Sequence, residues 1–191
     1  APQPRTSRAN YLLKLPTTNQ AEKDSNFQRA LEDCNVAIRA NSNHGPAYEN
    51  REYIYYNQNR YQDAITDATT LIKLEPGNNL GYAIRGASYS RLNEPEKALA
   101  DLNKSLSLNA NNEFALDNRA SLFYNSFQKY AEAATDFTRA IAINPRQGSY
   151  YLNRSYCYFR LGNIAQAKAD LQVAIQKGMI VPENYRKSFN F

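Results

Sequence analysis

Chemistry in a chain begins with its nucleophiles and ligands, and here they are few: two cysteines, Cys34 and Cys157, and one histidine, His44. A thiolate nucleophile needs a base within hydrogen-bond reach. Cys34 lies within ten residues of His44, but it stands at an inward-facing place of its segment, while His44 lies in the connection before Pro46. The expected state of Cys34 is a buried structural thiol, and Cys157 reads the same way. Two cysteines build no disulfide framework. They lie about four repeats apart, and with helices packing at about 8–10 Å they are too distant to pair within one chain. One histidine and dispersed carboxylates leave no transition-metal cluster. No phosphate-cradling glycine loop, dinucleotide fingerprint or serine elbow occurs. The expectation is no cofactor, no metal and no catalysis.

Charge is arranged more regularly. Arginine recurs at Arg51, Arg85, Arg119 and Arg154, and aspartate at Asp33, Asp67, Asp101, Asp136 and Asp170. Equal period and opposite sign predict that each Arg pairs with a repeat Asp, in at least three of the four units. Arginines free in a groove would instead mark an anion site. The net charge of +5 and pI of about 9.1 are mildly basic. No Lys/Arg block exceeds Arg186-Lys187, so a nucleic-acid ligand is not expected, because counterion release needs clustered cations.

The elements that position these residues follow from periodicity. The chain has 191 residues, 42% of them hydrophobic, which suits one domain or a short repeat array. It has no apolar run of the roughly 18 residues a membrane helix requires. Its start, Ala1-Pro2-Gln3-Pro4-Arg5, has no signal-peptide core and no initiator Met, as expected of a processed chain or a piece of a longer one. Ala30, Ala64, Ala98, Ala133 and Ala167 are spaced 34, 34, 35 and 34. Three residues after each comes the Asp, and eight after comes Ile38, Ile72, Leu106, Ile141 or Ile175. Tyr48, Tyr82, Leu116, Tyr151 and Tyr185 keep the same register. Tyr82 to Arg91 and Glu96 to Leu108 carry apolar residues at helical spacing. Turns are predicted at Asn57-Gln58-Asn59, Gly77-Asn78-Asn79 and Gly162-Asn163. Pro46, Pro95 and Pro182 stand where helices start, where a missing N–H is harmless.

These columns resemble the tetratricopeptide repeat family, a 34-residue helix-turn-helix with fixed aromatic, small and alanine positions. One unit offers Tyr48, Tyr55, Ala64 and Pro76. The next offers Tyr82, Gly86, Tyr89, Ala98, Leu102 and Ser105. A third offers Ala120, Phe123, Ala133, Phe137, Ala140 and Pro145, and a fourth offers Tyr151, Ser155, Tyr158, Ala167, Leu171 and Ala174. The resemblance implies an all-α fold, an α-solenoid of antiparallel helix pairs in a right-handed superhelix. The expected organisation is an N-terminal segment, 1–24, with a partial helix over Ala9–Leu15 and a polar insertion loop over Pro16–Ser25. An array follows over 25–191, with units at about 25–44, 45–78, 79–112, 113–147 and 148–181, and a capping helix at 182–191. Three departures stand out. Glu52 occupies a small-residue position, which predicts looser or rearranged packing. Ala68 and Cys34 replace a large apolar residue. The third unit carries one extra residue around Asn125-Ser126-Phe127-Gln128.

The resemblance further implies that the first helices of the units line a concave groove. The groove residues it assigns are Asn50, Tyr53, Tyr56, Ile84, Arg91, Asn118, Tyr124, Asn153, Tyr156 and Arg160, with Glu49, Asn57, Ala83, Ala87, Ser90, Asp117, Ser121, Asn125, Leu152 and Phe159 on the same faces. Asparagine amides both donate to and accept from a peptide backbone, and tyrosine adds rigid contact area with a polar tip. The implied function is a protein-interaction scaffold holding an extended peptide or partner segment. Two alternatives stay open: an accessory domain of a larger, possibly membrane-bound, enzyme or assembly factor, and a self-association module forming homo-oligomers. The carboxylate clamp of the chaperone-tail binders is absent, since its positions hold Glu49, Tyr53, Ile84, Phe114 and Asn118. The compartment expected is cytoplasmic rather than periplasmic.

Overall fold

The structure, a computed structural model, describes residues 2–189. It contains α-helices only: α1 (Pro2–Lys14), α2 (Gln20–Ala40), α3 (Gly45–Asn57), α4 (Tyr61–Leu74), α5 (Asn79–Arg91), α6 (Pro95–Leu108), α7 (Glu113–Asn125), α8 (Tyr130–Ile143), α9 (Gly148–Arg160), α10 (Ile164–Gln176) and the short α11 (Glu183–Lys187). Consecutive helices pack as hairpins, the α-solenoid architecture of the repeat. The chain divides into two compact units, residues 1–108 and 109–191. The first holds the hairpins α1–α2, α3–α4 and α5–α6. The second holds α7–α8, α9–α10 and α11.

Local chemistry sets the helix ends. Asn19, Asn78 and Asn112 cap α2, α5 and α7, each side-chain oxygen accepting from a first-turn N–H. Within the hairpins, one turn residue takes a left-handed conformation: Asn59 (φ 60°), Asn93 (φ 60°), Gln128 (φ 53°) and Gly162 (φ 77°). Asparagine and glycine enter that region at least cost. Gln128 is the exception, and it sits in the turn that carries the extra residue.

The alanine column Ala30, Ala64, Ala98, Ala133 and Ala167 is fully buried, which lets the paired helices approach closely. Opposite it, a small residue on the first helix faces a larger one on the second. A Cβ on Gly86 would lie 2.9 Å from Leu102 Cγ. Ala120 with Phe137 and Ser155 with Leu171 repeat this combination one and two periods on. In the α3–α4 hairpin the sizes are inverted, and Glu52 stands against the position of Ala68. Glu52 is completely buried, and neither carboxylate oxygen has a hydrogen-bond partner. Burial, then the nearby Glu49 and Asp67, push its pKa well above the usual carboxylate range, with Arg85 opposing.

The arginine and aspartate columns join in all four units. Nε and Nη2 of Arg51 reach the two oxygens of Asp67 at 2.6 and 2.7 Å. Arg85 holds Asp101 at 2.7 and 2.8 Å. Arg119 and Arg154 hold Asp136 and Asp170 at the same pair of distances. Each fork ties the two helices of one hairpin. The remaining nitrogen reaches the preceding hairpin: Arg51 Nη1 donates to Asn35 at 2.7 Å, Arg85 Nη1 to Thr69 at 3.3 Å and Arg154 Nη1 to Thr138 at 2.9 Å. Aromatic neighbours hold the guanidinium from either side, Tyr48 and Tyr55 for Arg51, Tyr151 and Tyr158 for Arg154. These arginines are structural and open no anion site.

The N-terminal stretch differs from expectation. α1 runs over thirteen residues, matching α3 in length, and not over Ala9–Leu15 alone. Arg8 forks onto Asp33 as Arg51 does onto Asp67, with Nε to Oδ2 at 2.6 Å. The boundary expected at residue 24 therefore falls inside α2. The polar stretch 20–25 is helical because Asn19 caps it, accepting from Glu22 N–H, while the Glu22 carboxylate accepts from Thr18 N–H. Only residues 15–19 form the connection. At the C-terminal end the helix is confined to Glu183–Lys187. Tyr185 and Phe189 pack on Tyr156 and Phe159. Residues 190 and 191 of the expected cap, and residue 1, lie outside the described residues.

Candidate functional site

The first helices of the first unit divide the expected groove residues. Asn50 is buried beside α1, its amide donating to the Thr6 carbonyl at 3.5 Å, and Ile84 is buried to 6% exposure. Both are corrections. Asn50 is covered because α1 is a full helix lying against α3, and Ile84 is aliphatic and joins the core. Tyr53 is partly exposed, edge-on to Phe27 at 6.4 Å, and Tyr56 lies 5.7 Å from Tyr61. Arg91 is exposed at the end of α5.

In the second unit several of the expected groove residues share a cavity. Ser121, Tyr124 and Asn125 from α7, Phe137 from α8, and Asn153 and Tyr156 from α9 line a cavity of about 340 Å³. Tyr124, Asn153 and Tyr156 are thus brought together as the periodicity implies. Asn118 is not, because its amide is spent on the Phe114 carbonyl of its own helix at 2.8 Å. Phe137 forms the apolar floor, although its column marks it as core. The signal is that it is the only aromatic in a series of Cys34, Ala68, Leu102 and Leu171.

Around that floor stands a set of unengaged polar groups. Among the described residues, the side chains of Ser121, Tyr124, Asn125, Asn153 and Tyr156 make no hydrogen bond within the chain. Ring contacts hold the two tyrosines in place: Tyr124 is edge-on to Tyr130 at 5.2 Å, and Tyr156 lies 4.4 Å from Tyr185. Tyr185 is in turn fixed by Ser155, whose Oγ is 2.8 Å from its hydroxyl. Burial, then Tyr124, raise the Tyr156 pKa, so its phenol is a neutral donor. Arg160, one turn beyond Tyr156, lies over the Tyr130 ring at 4.4 Å.

The reactive groups read as structural. Burial pushes the Cys34 and Cys157 thiols up to about 12, so neither is a thiolate. His44 is 9% exposed, its Nε2 2.8 Å from Thr6 Oγ1. Among the described residues no three His, Cys, Asp or Glu are grouped to hold a metal ion, and no helix is long and apolar enough to cross a membrane.

Stacked helical hairpins with an amide- and phenol-lined inner face define a class of repeat protein, and comparison with known proteins places the chain within it. The sequence profile described as tetratricopeptide repeat matches residues 53–113 and 126–179. The chain belongs to the tetratricopeptide repeat family. Among solved structures it resembles MamA, at 18% identity and a TM-score of 0.70 over 85% of this chain and 96% of that one. It also resembles TTC0263, a thermophilic TPR protein of Thermus thermophilus, at 16% identity and a TM-score of 0.72 over 93% and 91%. A third is YrrB, described as a TPR protein with an unusual peptide-binding site, at 21% identity and a TM-score of 0.65 over 93% and 86%. At these identities the likeness is one of fold.

Proposed function

We propose that this chain is a non-catalytic protein-interaction module whose second unit receives an extended peptide segment in the cavity between α7, α8 and α9. The observation that carries this reading is the set of five polar side chains, two amides and three hydroxyls, left without partners around an apolar floor. Amides and hydroxyls in such a place match the alternating donors and acceptors of a peptide backbone, and Phe137 offers a seat for one side chain. Family membership and the peptide-binding site ascribed to YrrB point the same way.

The test is selection of a phage-displayed dodecamer library on the intact chain, followed by binding of enriched peptides to wild type, Asn153→Ala and Ser121→Ala/Asn153→Ala. The expected result is at least a tenfold loss on the double variant with an unchanged thermal melt. Enriched peptides that bind the double variant as tightly as wild type would overturn the assignment.

A further inference from the structure

The second unit is the basic one. Residues 109–191 hold ten of the 23 Lys and Arg but six of the 18 Asp and Glu, so they carry +4 of the chain's +5. Most of these cations are already engaged. Arg119 and Arg154 fork onto Asp136 and Asp170. Arg139 donates to the Ala110 carbonyl and stands 3.7 Å from Asp136, and Lys187 pairs with Glu183. Lys177 lies over the Tyr151 ring, and Lys168 has an interaction within the chain. Lys129, Arg146 and Arg186 also have no ion pair among the described residues, and Arg160 differs from them in its ring contact. Among the described residues no carboxylate lies within ion-pair distance of it, and it is held over Tyr130, the ring that braces the cavity wall at Tyr124. On the neighbouring inner face Glu113 accepts from Asn144 and Tyr150, neutral donors that leave its charge in place, and Asp117 has an interaction of its own.

The cavity has neutral donors and acceptors in its middle, and the Arg160 guanidinium lies beyond its wall, over Tyr130, which contacts Tyr124. We infer that the segment it receives is acidic: an apolar side chain fills the space over Phe137, and an Asp or Glu side chain pairs with Arg160. This rests on the peptide-binding reading above and adds the ligand's chemistry to it. The spacing follows from the helix. Tyr156 and Arg160 are four residues apart, about 6 Å along α9, and an extended chain covers that rise in about two residues at roughly 3.3 Å each. Residues two apart in an extended chain also point the same way. The predicted signature is an apolar residue and an acidic residue separated by one position. Guanidinium and carboxylate meet through two parallel hydrogen bonds, which gives such a site selectivity over an amide isostere.

The experiment uses fluorescein-labelled, C-terminally amidated nonapeptides of alanine and serine carrying one phenylalanine and, two positions on, Glu, Gln or Lys. Each is made in both sequence directions, and the Gln peptide is also made with a free C-terminal carboxylate. Binding to the intact chain is read by fluorescence anisotropy at low and high salt. The expected result is that the Glu peptide binds about tenfold tighter than the Gln peptide, that the Lys peptide is weakest, and that salt erodes the Glu advantage. On Arg160→Gln the Glu-to-Gln ratio falls to about one. Equal binding of the Glu and Gln peptides to wild type, with both lost on Ser121→Ala/Asn153→Ala, overturns the acidic assignment and leaves the groove reading standing. Binding of the free-carboxylate peptide alone also overturns it, in favour of a chain terminus. No binding by any peptide sinks the groove reading itself.

Discussion

Glu52 gives the sharpest test of how the first unit is packed. Its carboxyl is wholly enclosed with no hydrogen-bond partner, a state that costs about 1–3 kcal/mol for the neutral acid and much more for the anion. The folded chain therefore retains a proton that the unfolded chain releases above the ordinary carboxylate range. A folded pKa raised in this way supplies stability that is complete at low pH and declines as pH rises. The decline is about 1.4 kcal/mol per pH unit until the folded pKa is reached. Glu52→Gln keeps size and shape but cannot ionise. Its urea denaturation, followed by far-ultraviolet circular dichroism, should match wild type near about pH 4.5 and exceed it increasingly towards about pH 8. Because both proteins share every other titrating group, the difference isolates Glu52. The double change Glu52→Ala/Ala68→Leu restores the small-against-large pairing seen at Gly86 and Leu102. It should stabilise by about 1–3 kcal/mol across the range by removing the unbonded carboxyl. Parallel pH profiles for wild type and Glu52→Gln would refute the reasoning, because they would place an ionised, solvated carboxylate at this position.

Other expectations follow from the same packing. Arg85→Ala leaves Asp101 largely buried without its fork and should cost about 2–4 kcal/mol in urea denaturation, with Arg85→Lys costing less because an ammonium keeps the charge while failing to match the bidentate geometry. Gln128→Gly relieves a left-handed glutamine and should raise stability by about 1 kcal/mol in a thermal melt. Ala98→Trp forces an indole into the fully buried contact between α5 and α6 and should destabilise by about 1–3 kcal/mol or more. Neither Cys34 nor Cys157 should react with an aromatic disulfide reagent at about pH 8 while the chain is folded, and both should react in denaturant.

The hairpins were legible in the sequence because they repeat the same constraints at the same places: alanine where helices touch, arginine opposite aspartate and, in α3–α4, α5–α6 and α9–α10, a left-handed asparagine or glycine at the tip. α1 was not, because Arg8 and Asp33 are 25 residues apart where the other pairs are 16 or 17, so Arg8 stands outside the arginine column. Asn50 followed from that omission. Register alone puts it on the same helix face as the other candidates, and a complete α1 buries it. Tyr124, Asn153 and Tyr156 were legible as cavity residues because helical register alone puts them on one face. Whether an amide is available is decided by short-range competition that register does not encode. Asn118 turns back to Phe114, whereas Asn153 stays unspent. Phe137 escaped because a core column gives no sign that one of its members reaches a void.

The bidentate forks have a consequence for how this chain tolerates change in length. Between Arg8 and Asp33 the hairpin tip has grown by nine residues relative to its neighbours, and between Arg119 and Asp136 by one, yet both forks close. The clasp lies away from the tip, so alignment of the two helices does not depend on what joins them. Added sequence emerges as two further helical turns in one case and a four-residue bend in the other. A foreign epitope or a reporter peptide spliced between Ser126 and Lys129 would therefore be carried as passenger, with the flanking helices still seated in their native alignment.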